Sequence, residues 1–509
     1  MENILPDHRS YIAGDWVTGA DTITVENPAD ESRLAEIPAT PLPEIERAIL
    51  EARRAFDSGV WADTPAEDRA AVLRALLSHL ETMREPLVAT MIGEAGQPRM
   101  FAERSQFLSG LAMARGMIDL YLSLSHEEPN PVPVGELIRG RVALSLRRYE
   151  PVGVVAAITP YNAALIMALQ KLVPALMAGN SVILRPSPLT PISSLVFGAA
   201  AEAAGLPRGV LSVVVESGSA GAELLTTHPA VDMVSFTGST AVGRHIMAQA
   251  APTLKRVALE LGGKSAQIYL DDAVGKVATG AAAVIGGTAG QACVAATRML
   301  VPREHKDEVL QLVSRTYAGL VVGAPADPST TIGPLISAAQ RQRCEEIVER
   351  AVDKGATVVQ GGGRPSGFPR GYYFEPTVLD VPDNGNPAAQ EEIFGPILSV
   401  LGYRDIDDAV RIANDSRYGL SGQVYGSDPA AATAVARRLR TGAVNVNTTL
   451  FSAYAPSGGY KQSGLGRERG PGGIRAVQEV KHQVIRAHRG TAARPPGVII
   501  SPEHAHDGF

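Results

Sequence analysis

Short runs rich in valine and isoleucine alternate with alanine-rich stretches from about Arg147 onward, and this alternation restricts the chain to a few folds. Each run is bounded by glycine or proline, and the stretches between runs are long enough for crossover helices. Strands joined in this way lie parallel in one sheet with helices on both faces. The pattern predicts a doubly wound α/β unit with the strands VGVVAAIT, SVILRP, VLSVVV, VDMVSF and RVALEL.

A second alternating region extends from about Glu260 to Thr448 and predicts a second α/β unit. A chain of 509 residues, of which 45% are hydrophobic, is too long for a single core, so we expect two or three globular units. The candidate strands of the second unit are AQIYL, RMLVP, GATVVQGG, YYFEPTVL, ILSVLGY and GAVNVN.

Three other segments follow different patterns. Val72, Leu76, Leu80 and Met83 recur at helical spacing, so the N-terminal part is predicted to be helical. The stretch EEPNPVPVGELIRGRVALSLRRYE is too rich in proline for the interior of a parallel sheet, and it predicts a strand pair that projects from it. Beyond about Arg489 the apolar periodicity ends, which predicts a tail that packs on a neighbour.

The charge pattern and the cysteine count exclude several classes of protein. The net charge of -6 is modest, and acidic and basic residues are interspersed along the chain. No cluster of basic residues therefore indicates binding to nucleic acid or to an anionic membrane. No basic start with an apolar run and no apolar window of about 18 residues is present, so we expect the cytoplasm. Two cysteines, Cys293 and Cys344, exclude a disulfide framework, and no histidine spacing suggests a metal.

The sharpest motifs are ELGGK, which begins with Glu260, and GQAC, which ends with Cys293. Taken alone, a cysteine between alanine and valine is more often a buried small hydrophobic residue than a nucleophile. A glutamate at the end of a strand is usually a solvated charge. The joint occurrence of these motifs with TPYN, FTGS and EEIFGP in one chain order favours a catalytic role.

This combination of motifs resembles the NAD(P)-dependent aldehyde dehydrogenase superfamily, and the resemblance extends from YIAGDW to GGYKQSGLGRE. It implies a Rossmann-like cofactor domain, an α/β catalytic domain and a small β arm for oligomerisation into dimers or tetramers. The implied boundaries are 1–128 and 150–259 for the cofactor domain, 260–450 for the catalytic domain, 129–149 and 471–489 for the arm, and 490–509 for the tail.

The resemblance also implies the catalytic roles. Hydride cannot leave a planar carbonyl carbon, so a nucleophile must first form a tetrahedral adduct, and Cys293 matches that nucleophile. Its own N–H and the amide of Asn162 match the donors to the oxyanion, although Asn162 alone could equally be a turn or helix N-cap residue. Glu260 matches the base that activates water. Lys171 matches a lysine that supports the catalytic network, with a snorkelling surface lysine as the alternative.

The cofactor motifs are less uniform. FTGSTAVG lies between a predicted strand and a helix, where exposed N–H groups could face a pyrophosphate. Such a turn often only connects a strand to a helix and binds nothing. Glu392 matches the family's glutamate for the nicotinamide ribose, with a loop carboxylate as the alternative. The resemblance implies a nicotinamide cofactor bound by Thr159, Pro160, Arg185, Ser187, Phe236, Gly238, Ser239, Gly243, Leu261, Gly262, Glu392 and Phe394.

One departure from the family concerns the adenosine ribose. The segment 185–188 reads Arg-Pro-Ser-Pro where Lys-Pro-Ser-Glu is usual. Pro188 therefore removes a carboxylate whose usual role is to bind ribose hydroxyls and to repel a 2′-phosphate. We expect NAD, and NADP use stays open.

A second departure concerns the substrate tunnel. Small residues, Ala163, Ala164 and Ser457, stand where the family often has bulky ones, which predicts a wide pocket for bulkier apolar or cyclic aldehydes. The predicted walls are Ala163, Met167, Gln170, Phe451, Tyr454 and Ser457.

Three other functions compete with this prediction. Oxidation of a charged semialdehyde would need a carboxylate clamp, and no Arg or Lys lies beside the tunnel motifs in the sequence. Acyl transfer to coenzyme A is disfavoured by Glu260, because that branch of the family lacks the glutamate. A non-catalytic binding protein would be expected to lose the cysteine, the base and the amide, all of which are present.

Overall fold

A computed structural model describes residues 8–131, 144–450, 452 and 454–485. The strands are β1 (Ser10–Ile12), β2 (Asp15–Val17), β3 (Thr22–Asn27), β4 (Ser32–Pro38), β5 (Glu127–Pro129), β6 (Leu144–Pro151), β7 (Val154–Ile158), β8 (Ser181–Arg185), β9 (Leu211–Val213), β10 (Met233–Thr237), β11 (Arg256–Glu260), β12 (Ala266–Tyr269), β13 (Arg298–Pro302), β14 (Thr357–Gln360), β15 (Thr377–Asp380), β16 (Ile397–Tyr403), β17 (Gly422–Tyr425), β18 (Asn445–Val446), β19 (Gly464–Leu465) and β20 (Gln478–Ile485).

The α-helices are α1 (Leu42–Asp57), α2 (Ala66–Thr82), α3 (Arg84–Ala95), α4 (Ser109–Ser123), α5 (Ala164–Met177), α6 (Ile192–Ala203), α7 (Ala220–Thr227), α8 (Thr240–Ala250), α9 (Val277–Ile285), α10 (Lys306–Ala318), α11 (Ala338–Asp353), α12 (Pro387–Gln390), α13 (Ile406–Asn414), α14 (Pro429–Ala436) and α15 (Gly470–Ala476). A π-helix, Phe101–Leu108, leads directly into α4.

The first sheet has the order β19-β11-β10-β7-β8-β9-β1-β2. Its five central strands, from β11 to β9, run parallel, and they are the five strands predicted from the sequence. The residues of β7 and β10 are buried throughout because helices cover both faces of the sheet. The predicted doubly wound architecture is confirmed.

The second sheet has the order β14-β15-β16-β13-β12-β17-β18 and is parallel except at the β14–β15 edge. A large buried apolar cluster that includes Leu300, Leu398 and Val424 packs around it, separate from the clusters of the first sheet. The predicted strands of this region are present, although β15 begins only at Thr377 and the preceding YYFEP is not a strand. We did not predict β17, which follows a Gly-Leu-Ser turn.

The arm predicted around residues 129–149 contains a three-stranded sheet in the order β20-β6-β5, with antiparallel pairing. Part of that segment lies outside the described residues, and so do residues 486–489 and the predicted tail 490–509. The domain boundaries stay a prediction.

The prediction of a helical N-terminal part is correct only from Leu42 onward. Before that residue the chain forms four strands, of which β1 and β2 extend the first sheet and β3 and β4 pair with each other. No helix in the described part of the chain is long and apolar enough to cross a membrane. Within the same residues, no three His, Cys, Asp or Glu side chains are grouped so as to hold a metal ion.

Asn180 ties the first sheet to the C-terminal arm. It is completely buried, accepts the N–H of Gly153 at 2.9 Å, and donates to the carbonyl oxygens of Ala175 at 2.9 Å and Val477 at 3.1 Å. Gly153 directly precedes β7, Ala175 lies within α5, and Val477 directly precedes β20. One amide therefore satisfies backbone groups of three elements that are far apart in the chain.

We expect Asn180→Ala to destabilise the protein by about 2–4 kcal/mol, because it leaves buried backbone groups without partners. Urea unfolding should show the loss as a lower midpoint. Lys354→Ala, at an exposed position after α11, is the control and should leave the midpoint unchanged. An unchanged midpoint for Asn180→Ala would contradict the role given to this side chain.

Candidate active site

The carboxyl edge of the first sheet collects most of the predicted cofactor residues. Strand register aligns Ile158 with Arg185 and with Phe236, and aligns Thr237 with Glu260. Because these strands are parallel, the residues that follow them emerge at one edge. The residues brought together there are Thr159, Pro160, Arg185, Ser187, Phe236, Gly238, Ser239, Gly243, Leu261 and Gly262.

The turn from β10 into α8 presents backbone N–H groups at this edge. The hydroxyl of Ser239 accepts the N–H of Val242 and caps the helix, and the Gly238 N–H is held by the carbonyl oxygen of Glu260. A Cβ atom at Gly243 would lie 2.5 Å from the Leu261 side chain, so only glycine lets the helix approach β11 this closely. The helix N-terminus is suited to a negatively charged phosphate group.

Two buried hydroxyls at the same edge, Thr159 Oγ1 and Thr237 Oγ1, have no hydrogen-bond partner among the described residues. Buried polar groups are nearly always hydrogen-bonded in proteins. These two hydroxyls, together with the helix N-terminus, fit a polar ligand such as the expected nicotinamide cofactor.

Arg185 does not stand free at this edge. Its guanidinium donates to the Glu216 carboxylate at 3.1 Å and to the Gly218 carbonyl oxygen at 2.9 Å. The buried Glu216 carboxylate also accepts the N–H groups of Gly221 and Ala222 at the start of α7. Arg185 is therefore paired with a carboxylate from another segment, Glu216, although position 188 itself has none.

Cys293 lies in the loop between α9 and β13 and is half-buried. Gly290 has φ of +73°, and a Cβ atom there would meet the carbonyl oxygen of Gly395 at 2.1 Å, so the loop needs glycine at this point. Asn162 is fastened to the same loop, because its Nδ2 donates to the Gln291 carbonyl oxygen at 2.7 Å. The carbonyl oxygen of Asn162 in turn accepts from Gln97 at 2.9 Å.

Glu260 ends β11 and is 7% exposed. The pKa of its carboxyl is raised to about 8, first by burial and then by the charge of Glu468, against the opposing charges of Lys171, Arg469 and Arg467. Burial likewise raises the pKa of the Cys293 thiol to about 12, assisted by the charges of Glu392 and Glu260. The thiol and the carboxyl therefore lie within electrostatic range of each other in a site that disfavours charge.

Lys171 is buried, which excludes the alternative of a surface lysine. Its ammonium forms an ion pair with Glu468 and donates to Ser235 Oγ at 3.1 Å. The amide of Gln170 donates to the second oxygen of the same carboxylate. The sequence reasoning did not identify Glu468, which lies 297 residues from Lys171 and whose GRE context gave no sign of a partner.

The loop that contains Glu392 brings the second sheet to the site. The Glu392 carboxylate accepts the N–H of Gly263 at 2.9 Å, next to the turn that follows Glu260. Phe394 has φ of +62°, and its ring meets the ring of Tyr161 edge-on at a centroid distance of 6.0 Å. Of the residues predicted from EEIFGP, Glu392 thus lies beside the turn that follows Glu260, and Phe394 lies beside Tyr161.

The predicted pocket residues are distributed around this centre. Ala163 and Met167 lie at the start of α5, one helical turn apart, whereas Gln170 is buried on Glu468. Tyr454 is 56% exposed, and its hydroxyl lies over Gly116 of α4. Ser457 pairs with the backbone of Glu468, and Phe451 lies outside the described residues.

Arg469 is a charged residue that the sequence reasoning overlooked when it found no cation near the tunnel motifs. It follows Glu468 directly, is half-buried, and has φ of +57°, which is unusual for a side chain other than glycine. Its Nε is buried without a hydrogen-bond partner among the described residues. The guanidinium is close enough to lower the pKa of both Cys293 and Glu260.

Comparisons with known proteins agree with this arrangement. Residues 16–483 match the model of the aldehyde dehydrogenase family. The chain is 37% identical over 481 residues to geranial dehydrogenase of Castellaniella defragrans, covering 93% of this chain and 98% of that protein.

Solved structures give the same result. Aldehyde dehydrogenase C of Pseudomonas syringae, a cysteine-to-alanine mutant with NAD+ and octanal, is 37% identical, with a TM-score of 0.88 over 94% of this chain and 96% of that chain. An aldehyde dehydrogenase of Mycobacterium tuberculosis with NAD+ is also 37% identical, with a TM-score of 0.90 over 94% of this chain and 98% of the other.

We expect Arg469→Leu to slow alkylation of Cys293 by iodoacetamide about 3- to 10-fold at fixed pH. Loss of the positive charge raises the thiol pKa, and one pKa unit corresponds to a tenfold change in thiolate. Mass spectrometry of the Cys293 peptide would follow the rate across pH. Arg469→Lys keeps the charge and should restore most of the rate, whereas equal rates for the Leu variant and the parent chain would refute the electrostatic role.

Proposed function

The chain belongs to the aldehyde dehydrogenase family, and from that membership we propose that Cys293, Asn162 and Glu260 carry out the oxidation of an aldehyde to a carboxylic acid. The protein is an oxidoreductase that acts on aldehydes. The observation that carries the assignment is that the charge of the buried Glu260 carboxyl raises the pKa of the Cys293 thiol, while the Asn162 amide is hydrogen-bonded to the loop that contains the cysteine.

In the first step the Cys293 sulfur attacks the carbonyl carbon and the oxygen becomes an oxyanion. The thiol pKa of about 12 means that the resting group is protonated, so the S–H proton passes to a solvent water as the S–C bond forms. Asn162 has a second amide hydrogen besides the one on Gln291, and it can donate to the oxyanion together with the Cys293 N–H. One such donor contributes about 2.7–4 kcal/mol in comparable sites.

A bound nicotinamide cofactor would supply the hydride acceptor for the tetrahedral adduct, and the related structures from P. syringae and M. tuberculosis contain NAD+. This protein uses NAD in the same way. The N-terminus of α8, the hydroxyls of Thr159 and Thr237, and the Glu392 carboxylate would hold it. The Glu216 carboxylate beside Arg185 supports a preference for NAD, since it would repel a 2′-phosphate.

In the last step water hydrolyses the thioester on Cys293, and the carboxylic acid leaves. Glu260 takes the proton from that water, which requires its own carboxylate form, so its raised pKa places the step on the rising side of a pH profile. The Lys171–Glu468 ion pair has a positioning role, because it holds one positive and one negative charge in place near the Glu260 carboxyl. Lys171 favours the ionised form of Glu260, whereas Glu468 opposes it.

The substrate we favour is a bulky or medium-chain apolar aldehyde. Ala163 contributes little volume to the pocket, and Met167 one turn further along α5 is an apolar and adaptable wall. The related enzymes are named for geranial and crystallised with octanal, which are both apolar aldehydes.

An aldehyde that carries a carboxylate is a second candidate, and Arg469 is the specific observation in its favour. A half-buried guanidinium without an ion pair among the described residues is available to bind an anionic group close to Cys293.

The protein should act as a homodimer or homotetramer in the cytoplasm. The strand β20 presents Val480, Val484 and Ile485 with about half of each side chain exposed, at an edge of the arm. Unpaired edges of this kind are commonly covered by another subunit. The domain boundaries given under Sequence analysis are part of this proposal.

We expect Glu260→Gln to retain the first hydride transfer and to lower steady-state turnover by a factor of about 10²–10⁴, because hydride transfer precedes the hydrolysis that needs the base. Stopped-flow absorbance of the reduced nicotinamide would show a burst followed by a slow phase. In the unaltered enzyme the hydrolytic rate should rise with pH through about 8.

Glu391→Gln is the matched control, since its carboxylate neighbours Glu392 but pairs with exposed Arg350. It should behave as the unaltered enzyme. A Glu260→Gln enzyme that turns over at the normal steady-state rate would remove the base from this role, and loss of the burst as well would place Glu260 in the first step.

A substrate series distinguishes the two candidate classes. We expect kcat/KM with NAD to rise by about 10- to 100-fold from acetaldehyde to octanal, since each buried CH₂ contributes about 0.8 kcal/mol at most and only part is realised. Succinic semialdehyde should be poor, and Arg469→Leu should lower kcat/KM for octanal and for the semialdehyde by the same factor, no larger than its effect on the alkylation of Cys293. A preference for the semialdehyde that Arg469→Leu abolishes would favour the charged substrate instead.

A further inference from the structure

Asn162, whose amide we assign to the oxyanion, is held at both of its ends by other residues. Its side-chain Nδ2 donates to the carbonyl oxygen of Gln291 at 2.7 Å, in the loop of Cys293. Its backbone carbonyl oxygen accepts the side-chain amide of Gln97 at 2.9 Å, from a residue 65 positions earlier in the chain. The position of the Asn162 amide therefore depends on Gln97 as well as on Gln291.

The chemistry of its partner fixes the orientation of the Gln97 side chain. A backbone carbonyl oxygen can only accept a hydrogen bond, so the nitrogen of the Gln97 amide faces Asn162 and the oxygen points away. The same reasoning fixes Gln291, whose Oε1 accepts the N–H of Ile336 at 3.1 Å and whose Nε2 donates to the Thr288 carbonyl oxygen at 3.0 Å. Each amide in this series has one orientation that satisfies its backbone partners.

The backbone on both sides of Gln97 has little freedom to move. Gly96, directly before it, has φ of +63°, and a Cβ atom there would lie 2.6 Å from the Pro334 ring and 2.9 Å from the Pro28 ring. Pro98, directly after it, disfavours the helical conformation at Gln97. The Gln97 side chain, which is 4% exposed, is thus presented to Asn162 from a rigid turn.

Packing alone does not explain a glutamine at this position. Gln97 Oε1 is buried and has no hydrogen-bond partner in the part of the chain that the structure describes. A buried carbonyl oxygen without a partner is unfavourable, and a methionine side chain would fill a similar volume without that oxygen. The one favourable polar contact of this side chain is its N–H on the Asn162 carbonyl oxygen, which points to a role for that bond in the site.

The two hydrogen bonds together restrict the Asn162 amide more than either does alone. An asparagine side chain has two rotatable bonds, so a single bond at Nδ2 leaves the backbone free to shift and the amide plane free to tilt. When Gln97 holds the backbone as well, the direction of the Nδ2 hydrogen that Gln291 does not use is set. A donor to an oxyanion is effective only when it is aimed at the developing charge before the reaction begins.

We propose that Gln97 is a positioning residue for oxyanion stabilisation and that it acts through Asn162. The inference rests on the proposed function, because the aim of the Asn162 amide affects catalysis only if an oxyanion forms on the carbon bonded to Cys293. It extends the oxyanion site to the turn after α3. The motifs ELGGK, GQAC, TPYN, FTGS and EEIFGP do not include this turn.

The first test compares two reactions of the same thiol. Attack on an aldehyde carbonyl forms an oxyanion, whereas alkylation by iodoacetamide displaces iodide from a saturated carbon and forms none. Gln97→Met removes the N–H and keeps a similar side-chain volume. It should slow the first hydride transfer from octanal to NAD about 3- to 30-fold, because small misalignments of a catalytic group have effects of this size, and should leave alkylation of Cys293 unchanged. Stopped-flow absorbance of the reduced nicotinamide and mass spectrometry of the Cys293 peptide give the two rates.

Gln97→Lys tests the hydrogen bond itself. The lysine ammonium is a donor at the end of a side chain of similar reach, so it can restore the bond to the Asn162 carbonyl oxygen. The ratio of the hydride-transfer rate to the alkylation rate should return to within about 3-fold of that of the unaltered enzyme, and this ratio corrects for any effect of the new charge on the thiol. The variant also keeps the proposal testable if Gln97→Met does not fold.

A double variant separates this inference from the proposed function. Asn162→Ala alone should lower the rate of the first hydride transfer about 10²- to 10³-fold, as the loss of an oxyanion donor does in comparable sites. Adding Gln97→Met to Asn162→Ala should cause no further loss, because the amide that Gln97 positions is then absent.

Gln311→Met, at an exposed position on α10, is the matched control and should leave both rates unchanged. A normal hydride-transfer rate for Gln97→Met, beside a slow Asn162→Ala, would overturn the inference and leave the proposed function intact. Equal losses in both reactions of Gln97→Met, or an additive loss in the double variant, would show a general structural role and would also overturn it. A normal rate for Asn162→Ala would instead remove Asn162 from the proposed function, and the inference with it.

Discussion

The buried ion pair between Lys171 and Glu468 is the interaction on which the reactive centre depends. Both side chains are almost fully buried, and an unpaired charge in such a buried position costs several kcal/mol. Glu260 lies within the field of this pair, and its proton affinity follows from the balance between the two partners and the loss of solvent. The site is therefore a low-dielectric environment in which small charge displacements have large effects on reactivity.

Each of the two sheets contributes part of the reactive centre. The parallel strands of the first sheet end at one edge, and this edge holds Glu260, the hydroxyls of Thr159 and Thr237, and the N-terminus of α8. The second sheet supplies the loops of Cys293 and Glu392. Backbone contacts hold the two together, such as the Gly263 N–H on Glu392 and the Asn162 amide on the Gln291 carbonyl oxygen. Rigid elements on each side thus fix the geometry of groups that are distant in sequence.

The sequence was sufficient for the architecture and for the central residues, because long valine-rich runs and ordered motifs leave strong local signals. The sequence did not predict elements and residues whose contacts are with distant parts of the chain. β1 and β2 are three residues each and owe their pairing to the edge of a sheet formed much later in the chain. Glu468 and Arg469 acquire their surroundings only when the C-terminal segment folds against α5 and β10, and no periodicity near them reports those contacts.

The position of Glu468 has a consequence for biosynthesis. Lys171 leaves the ribosome long before its counter-charge is translated, because 297 residues separate the two. Until then the lysine cannot be buried without a large electrostatic penalty, so the core around α5 must stay loosely packed in the nascent chain. A chain truncated before this glutamate would carry the reactive cysteine without the environment that controls it. The cysteine, the base and the ion pair can therefore come together only after the chain has been translated as far as Glu468.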